Sequence, residues 1–431
     1  MTKYIFITGN YNKSIFTASL GSLLRENNLK INIKKILDNK PTQTYVTKDG
    51  SEVDLNLGYY ERIAELTTNI NNNIFTSNIN ELIKFIKYES KSYDIIIIEL
   101  IDINIINYFL KRFSSNLVIN IHIQSNNIQS DIKSDIIINK DKFIKLMYIN
   151  QYKIPYILSK IKFNKKVLKL LDIKQINKIT KWEQIYYNLL NLHKCIYVYI
   201  IIKFSDSYIA VMESLKHAAY SLNLNIKIIW INPEILTIYE MIKIINKNKG
   251  GILVPGGFGI NGFENKIEII KFARLNNIPF FGICYGMQLL IIEYARNILN
   301  INNATTQEVD TENKYTHIFI ENCFKQRRVG NYCGKIKEKS ILTNLYKNNI
   351  YSERHRHKYK FNNIYIDKFK NNGLSFIGTS FDDTYMEITH VQNNIFHMGV
   401  QFHPELGSTI FKPNPIIVLY IKKIYLSCIK N

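Results

Sequence analysis

No apolar run in the 431-residue sequence comes near the ~20 residues needed to span a bilayer. The longest, such as Ile95–Ile98 and Tyr197–Ile202, are strand-sized, so there is no candidate for a spanning helix. The N-terminal Met1–Gly9 lacks a signal-peptide cleavage pattern and reads directly as a strand, so we expect a cytoplasmic protein with no membrane partner. Acidic residues are few: 35 Asp and Glu stand against 56 Lys and Arg, a net charge of +21. Such an excess can mark a nucleic-acid binder. Here the surplus is spread through every segment together with Asn and Ile, as an AT-rich coding bias produces, and there is no Lys/Arg stripe interleaved with aromatics. We expect no nucleic-acid partner, although a basic surface suits anionic nucleotides. The five cysteines (Cys195, Cys284, Cys323, Cys333, Cys428) include no C-x-x-C pair, which argues against a disulfide framework and a structural zinc site. One reactive and four packing cysteines is the expectation. There is no internal repeat, and the Asn-rich stretches at 69–80 and 300–303 read as loops.

What is present is an α/β pattern long enough for two domains. Strands are expected at residues 3–9, 31–37, 93–100, 116–123 and 135–138, with a helix over Ile15–Glu26. A polar and aromatic connector at 172–194 follows. A second series then runs through strands at 196–202, 225–230, 251–255 and 278–283, with helices at 208–222, 239–246 and 266–276. Strands alternating with helices predict two doubly wound α/β domains.

The most specific segment is Ile278-Pro279-Phe280-Phe281-Gly282-Ile283-Cys284-Tyr285-Gly286-Met287-Gln288. An apolar strand meets a helix at a tight turn with glycine on both sides of a cysteine. This is the thiol counterpart of the elbow that pushes a nucleophile out of a sheet. The helix N-terminus behind it favours negative charge on the sulfur. Downstream, Gln401-Phe402-His403-Pro404-Glu405 offers a base with a carboxylate two residues on. Gly256-Gly257-Phe258-Gly259 follows an apolar strand, where backbone N–H groups can face a developing oxyanion, as can that of Tyr285.

These segments resemble a class I glutamine amidotransferase, and the whole chain resembles the CTP synthase family. Further matches are Val46-Thr47-Lys48-Asp49-Gly50, Asp54-Leu55-Asn56-Leu57-Gly58-Tyr59-Tyr60-Glu61-Arg62, Tyr152-Lys153-Ile154-Pro155, Trp182-Glu183-Gln184, Phe272–Pro279 and Glu353-Arg354-His355-Arg356-His357-Lys358-Tyr359. The resemblance implies a P-loop-like synthetase domain at 1–171, a linker at 172–194 and an amidotransferase domain at 195–431. It implies a Cys284–His403–Glu405 triad, and glutamine and its oxyanion held by Gly257, Phe258, Tyr285, Gln288, Glu308 and Arg356. It implies ATP phosphates near Lys13 and Lys35, a Mg2+ site at Glu99 and Asn56 beside Asp54, and UTP as the acceptor. GTP as activator and a homo-oligomer, the family tetramer, also follow. His355 and His357 read as structural rather than metal-binding, because no cysteine or carboxylate set accompanies them.

The chain departs from the family pattern in its first domain. The Gly-rich phosphate loop is contracted to Gly9-Asn10-Tyr11-Asn12-Lys13-Ser14, and Asn56 replaces a metal-binding aspartate. Leu100-Ile101-Asp102-Ile103 replaces a Gly-rich stretch after Glu99, and no UTP-gripping Lys-Thr-Lys-Pro-Thr-Gln segment lies between His122 and Asp135. Intact glutaminase chemistry with weaker ATP use is therefore expected. Two alternatives remain: a homologue that only releases ammonia from glutamine or feeds a partner, and a non-catalytic assembly protein.

Overall fold

The computed structural model describes residues 2–9, 13–37, 39–75, 79–100, 112–113, 118–124, 135–139, 150–175, 180–310, 312–321 and 327–429. The expectations placed on residues 10–12, 101–103, 125–134 and on Cys323 lie outside them. The chain divides into two compact units, Met1–Thr47 with Ser51–Asn191, and Lys48–Gly50 with Leu192–Asn431. No helix among the described residues is long and apolar enough to cross a membrane.

The first unit carries six parallel strands: β1 (Lys3–Gly9), β2 (Ile31–Leu37), β3 (Asn73–Phe75), β4 (Ile95–Leu100), β5 (Val118–Gln124) and β6 (Ile136–Asn139). Their order is β3-β2-β4-β1-β5-β6. β2 and β4 are buried along their whole length, which explains the continuous apolar run Ile95–Ile98 of β4, while β2 also buries Asn32, Lys34 and Lys35. Phe16, Leu20, Leu23 and Leu24 of the helix Lys13–Arg25 are buried. Gly9, at φ +120°, must be glycine, because a Cβ there would stand 2.2 Å from the Ile123 carbonyl oxygen.

Two elements differ from the sequence expectation. β3 lies inside the Asn-rich stretch read as loop; Asn72 beside it donates to Asn32 Oδ1 (2.7 Å) and to the Ile33 carbonyl (2.8 Å). Those amides replace the apolar pattern that would have marked a strand. The stretch read as a connector contains the helix Lys181–Leu190, capped by Thr180 Oγ1, which accepts the Trp182 N–H. Trp182 is fully buried and its indole N–H donates to Ser22 Oγ at 2.9 Å.

The second unit holds a nine-stranded sheet. Its strands are β7 (Lys194–Ile201), β8 (Leu224–Ile231), β9 (Gly250–Val254), β10 (Phe280–Ile283), β11 (Arg328–Ile336), β12 (Ile350–His357), β13 (Leu374–Ser380), β14 (Met386–Val391) and β15 (His397–Val400). The order is β8-β7-β9-β10-β15-β14-β13-β11-β12. The pairs up to β10–β15 are parallel and those beyond are antiparallel. Tyr199 and Ile201 of β7 pack in one hydrophobic cluster, while Ile196, Val198 and Ile200 pack in the other. The two-residue period thus places a core on each face of the sheet. The antiparallel part was not legible in the sequence, where the strand series stopped at β10.

Candidate active site

The strand-to-helix turn expected around Cys284 is present. β10 is fully buried and ends at Cys284, whose φ of +50° and ψ of −102° are unusual for a residue with a side chain. The helix Tyr285–Asn297 starts at once. Both flanking glycines are required by close approach. A Cβ on Gly282 would stand 2.6 Å from the Gly286 backbone, and one on Gly286 would stand 2.0 Å from the Val254 carbonyl oxygen. Of the other described cysteines, Cys195 and Cys333 are exposed, which corrects the expectation that they pack. They lie on β7 and β11, at positions whose side chains leave the core.

The parallel pairing of β10 with β15 sets Ile283 beside Val400, and the Cys284 N–H donates to the Val400 carbonyl at 2.7 Å. The residues after Val400 therefore run past Cys284. The His403 N–H is fixed by the Arg354 carbonyl of β12 at 2.7 Å, and its Nδ1 lies 2.7 Å from Glu405 Oε1. Its Nε2 makes no hydrogen bond, nor does Glu405 Oε2. Burial works against charge on His403, but the negative charges of Glu405 and Cys284 outweigh it and lift the imidazole to about 10.

Glycine is also required beside the ring. A Cβ on Gly256 would stand 2.7 Å from His403 Cε1 and 3.6 Å from Cys284 Cβ. One on Gly257 would meet nothing closer than Tyr285 Cδ1 at 3.8 Å. Gly259 clamps this loop: its N–H donates to Glu308 Oε1 at 2.9 Å and its carbonyl accepts from Tyr285 O–H. The Phe258 side chain is largely exposed. Tyr285 is the first residue of its helix, so its N–H has no acceptor within that helix. Burial raises the Glu308 carboxyl, opposed by the Gly259 N–H and the charge of Lys358. Lys358, partly exposed and paired with Glu321 Oε1 at 2.6 Å, is thus a cation near Glu308 that the sequence reading did not single out. The only signal was its place at the end of the alternating Arg-His segment. Arg356 presents its carbonyl 3.9 Å from Cys284 Sγ. Gln288 is buried and donates to Gln401 Oε1 at 3.4 Å.

His355 and His357 are buried structural groups. His357 Nδ1 donates to the Tyr359 carbonyl at 2.9 Å, so its Nε2 accepts from His355 Nδ1 at 3.0 Å. Burial and neighbouring positive charge hold both neutral, His357 near 3.

In the first unit, Lys35, Asp54 and Glu99 come together, but among themselves. Lys35 Nζ lies 2.7 Å from Asp54 Oδ1 and 3.7 Å from Glu99 Oε1. Glu99 also accepts from Ser14 Oγ (2.9 Å) and from Tyr60 O–H (2.6 Å). Asn56 caps the helix Leu57–Arg62 without a side-chain cap bond, and its N–H donates to Asp54 Oδ1 at 2.9 Å. Lys13 Nζ donates to the Leu100 carbonyl at 2.7 Å. Mg2+ requires oxygen ligands in near-octahedral array. No group of three or more His, Cys, Asp or Glu that could hold a metal occurs among the described residues, and an ammonium already bridges the two carboxylates. The residues as arranged do not fit the expected Mg2+ site.

A strained thiol on a strand-to-helix turn, faced by a His–Glu pair that follows the neighbouring parallel strand, defines a class I glutamine amidotransferase unit. The family model "Glutamine amidotransferase class-I" matches residues 203–423, and that of the "CTP synthase N-terminus" matches residues 3–102. The CTP synthases of Clostridium kluyveri and Clostridium acetobutylicum are 32% and 30% identical to the chain, each alignment covering 98% of this chain and of the relative. The glutaminase domain of Trypanosoma brucei CTPS with bound acivicin is 28% identical with a TM-score of 0.50, covering 54% of this chain and 94% of that one. The chain belongs to the CTP synthase family. It is a glutamine-dependent ligase of a family that uses glutamine, ATP and UTP.

Proposed function

We propose that Cys284, His403 and Glu405 release ammonia from glutamine and that the first unit uses it to aminate UTP. The observation that carries this is His403 itself, bound to Glu405 through Nδ1 while Nε2 is left without a partner in a wall shared with Cys284. The Cys284 sulfur attacks the amide carbon of glutamine. A C–S bond forms and the carbonyl electron pair moves onto oxygen, where the N–H groups of Gly257, Phe258 and Tyr285 receive it. His403 gives its proton to the leaving nitrogen, the C–N bond breaks, and ammonia departs from a thioester. Water then adds as His403 takes its proton, the C–S bond breaks, and glutamate leaves. Glu308 suits the α-ammonium of glutamine, Arg356 and Lys358 its carboxylate, and Gln288 lines the pocket.

In the first unit, ATP phosphorylates the uracil 4-oxygen of UTP and ammonia displaces that phosphate, giving CTP. Lys13 and Lys35 are the groups we assign to ATP phosphates. Asn56, the contracted loop and the internal pairing of Lys35 support weaker ATP use than glutamine hydrolysis. The reading extends to a cytoplasmic homo-oligomer activated by GTP, with domain boundaries at 1–171, 172–194 and 195–431. A CTP product assay tests it, run first with glutamine and then with ammonia. Cys284→Ala is expected to abolish only the glutamine-dependent reaction. Full-rate CTP formation by the unmodified protein from ammonia would refute the weaker ATP use.

A further inference from the structure

We propose that Gln401 is a catalytic residue of the glutaminase centre, its carboxamide N–H holding negative charge on the Cys284 sulfur. Gln401 follows β15 and is 2% exposed. Its Nε2 lies 3.6 Å from Cys284 Sγ, within hydrogen-bond range for sulfur. Its Oε1 accepts from Gln288 Nε2 at 3.4 Å. With Gln288 Nε2 facing Gln401 Oε1, the other end of the Gln401 carboxamide, its Nε2, faces the sulfur. The backbone is pinned as well. The Gln401 N–H donates to the Glu387 carbonyl at 2.8 Å, and the Glu387 carboxylate is held by Arg328 and Tyr351.

The sulfur therefore has a partner for each of its states. The Arg356 carbonyl, at 3.9 Å, can accept from the S–H of the thiol. The Gln401 N–H can donate only to the sulfur, and does so far more strongly when it is charged. A donor aimed at the charged form favours that form. His403 faces the sulfur as a cation raised in part by it, and Gln401 adds a neutral, directional donor held in place before glutamine arrives.

This inference rests on Cys284 being the nucleophile. The experiment follows the pH dependence of inactivation by iodoacetamide in the full-length protein and in Gln401→Leu and Gln401→Glu. Gln401→Leu is expected to move the midpoint of alkylation up by about one pH unit and to lower kcat for glutamine hydrolysis about tenfold, with KM for glutamine unchanged. Gln401→Glu keeps the shape and the acceptor for Gln288 but puts a carboxylate against the sulfur, so its midpoint is expected to rise further. Thermal melts check that each variant is folded. Failure of iodoacetamide to inactivate the unmodified protein would overturn the nucleophile assignment itself. Normal inactivation, with Gln401→Glu keeping the unmodified profile, would overturn the role of Gln401 alone.

Discussion

The backbone N–H of Cys284 donates to the carbonyl of Val400 at 2.7 Å, across 116 positions of sequence. That one bond is the first rung beyond the β10–β15 pairing, and it brings the chain that carries Gln401, His403 and Glu405 past the Cys284 sulfur. A shift of one residue in this register would turn His403 away from the sulfur.

The Gly256 Cα faces the imidazole with no room for a methyl group. Gly256→Ala is expected to displace the His403 ring and lower glutamine hydrolysis by about a hundredfold while ammonia-dependent CTP formation persists. Gly257→Ala, whose nearest neighbour is 3.8 Å away, meets no such clash and should lower hydrolysis far less than Gly256→Ala does. Steady-state assays with the two nitrogen donors check the pair.

Glu353 and His403 each lose a stabilising effect as pH rises, in different windows. Burial, reinforced by the charge of Glu405, pushes the Glu353 carboxyl up to about 7, although Tyr346 and Asn414 donate to it. The folded state therefore holds this proton more tightly, so its stabilising effect is full below about pH 4.5 and is lost as pH rises to 7. The range amounts to about 3 kcal/mol. His403, raised to about 10, keeps its contribution below about pH 6.5 and loses it as pH rises to 10. Melting temperature measured from pH 4.5 to 10 should lose the lower slope in Glu353→Gln and part of the upper slope in Glu405→Gln. An unchanged curve in either variant counts against the corresponding group.

An ammonium between two carboxylates should exclude a free divalent cation. Titration of the unmodified protein with Mn2+ in the absence of nucleotide, followed by loss of the free-ion EPR signal, is expected to show weak binding. Lys35→Met removes the internal cation from Asp54 and Glu99 and should tighten binding about tenfold or more. Lys35→Arg should keep the site closed. Tight Mn2+ binding by the unmodified protein would contradict this arrangement.

His397 is fully buried with neither ring nitrogen hydrogen-bonded, packed 4.8 Å from the Phe280 ring. Burial and the positive charge of Arg274 hold it near 3, so it costs stability as pH falls from about 6.5 towards 3. His397→Phe removes the unsatisfied donor and should stabilise the fold by about 1–2 kcal/mol. Differential scanning at pH 7 and pH 5 is expected to show a larger gain at the lower value.

The local pieces are legible along the chain. Continuous apolar runs marked the buried parallel strands, and Gly282 and Gly286 marked a turn that admits no Cβ. The Gln-Phe-His-Pro-Glu order placed an imidazole next to a carboxylate, because two residues of chain suffice to join them. Those signals are short-range, so they survive in a one-dimensional reading.

Long-range geometry did not survive it. The folded chain sets β15 beside β10 and brings the β12 carbonyls to His403 and Cys284. It also revealed Lys358 near Glu308, and turned Lys35 onto Asp54 and Glu99 instead of leaving them open for a metal. Strand pairing and charge pairing join residues tens to hundreds of positions apart. Their partners are chosen by packing and by the need to neutralise buried charge, which no local pattern records.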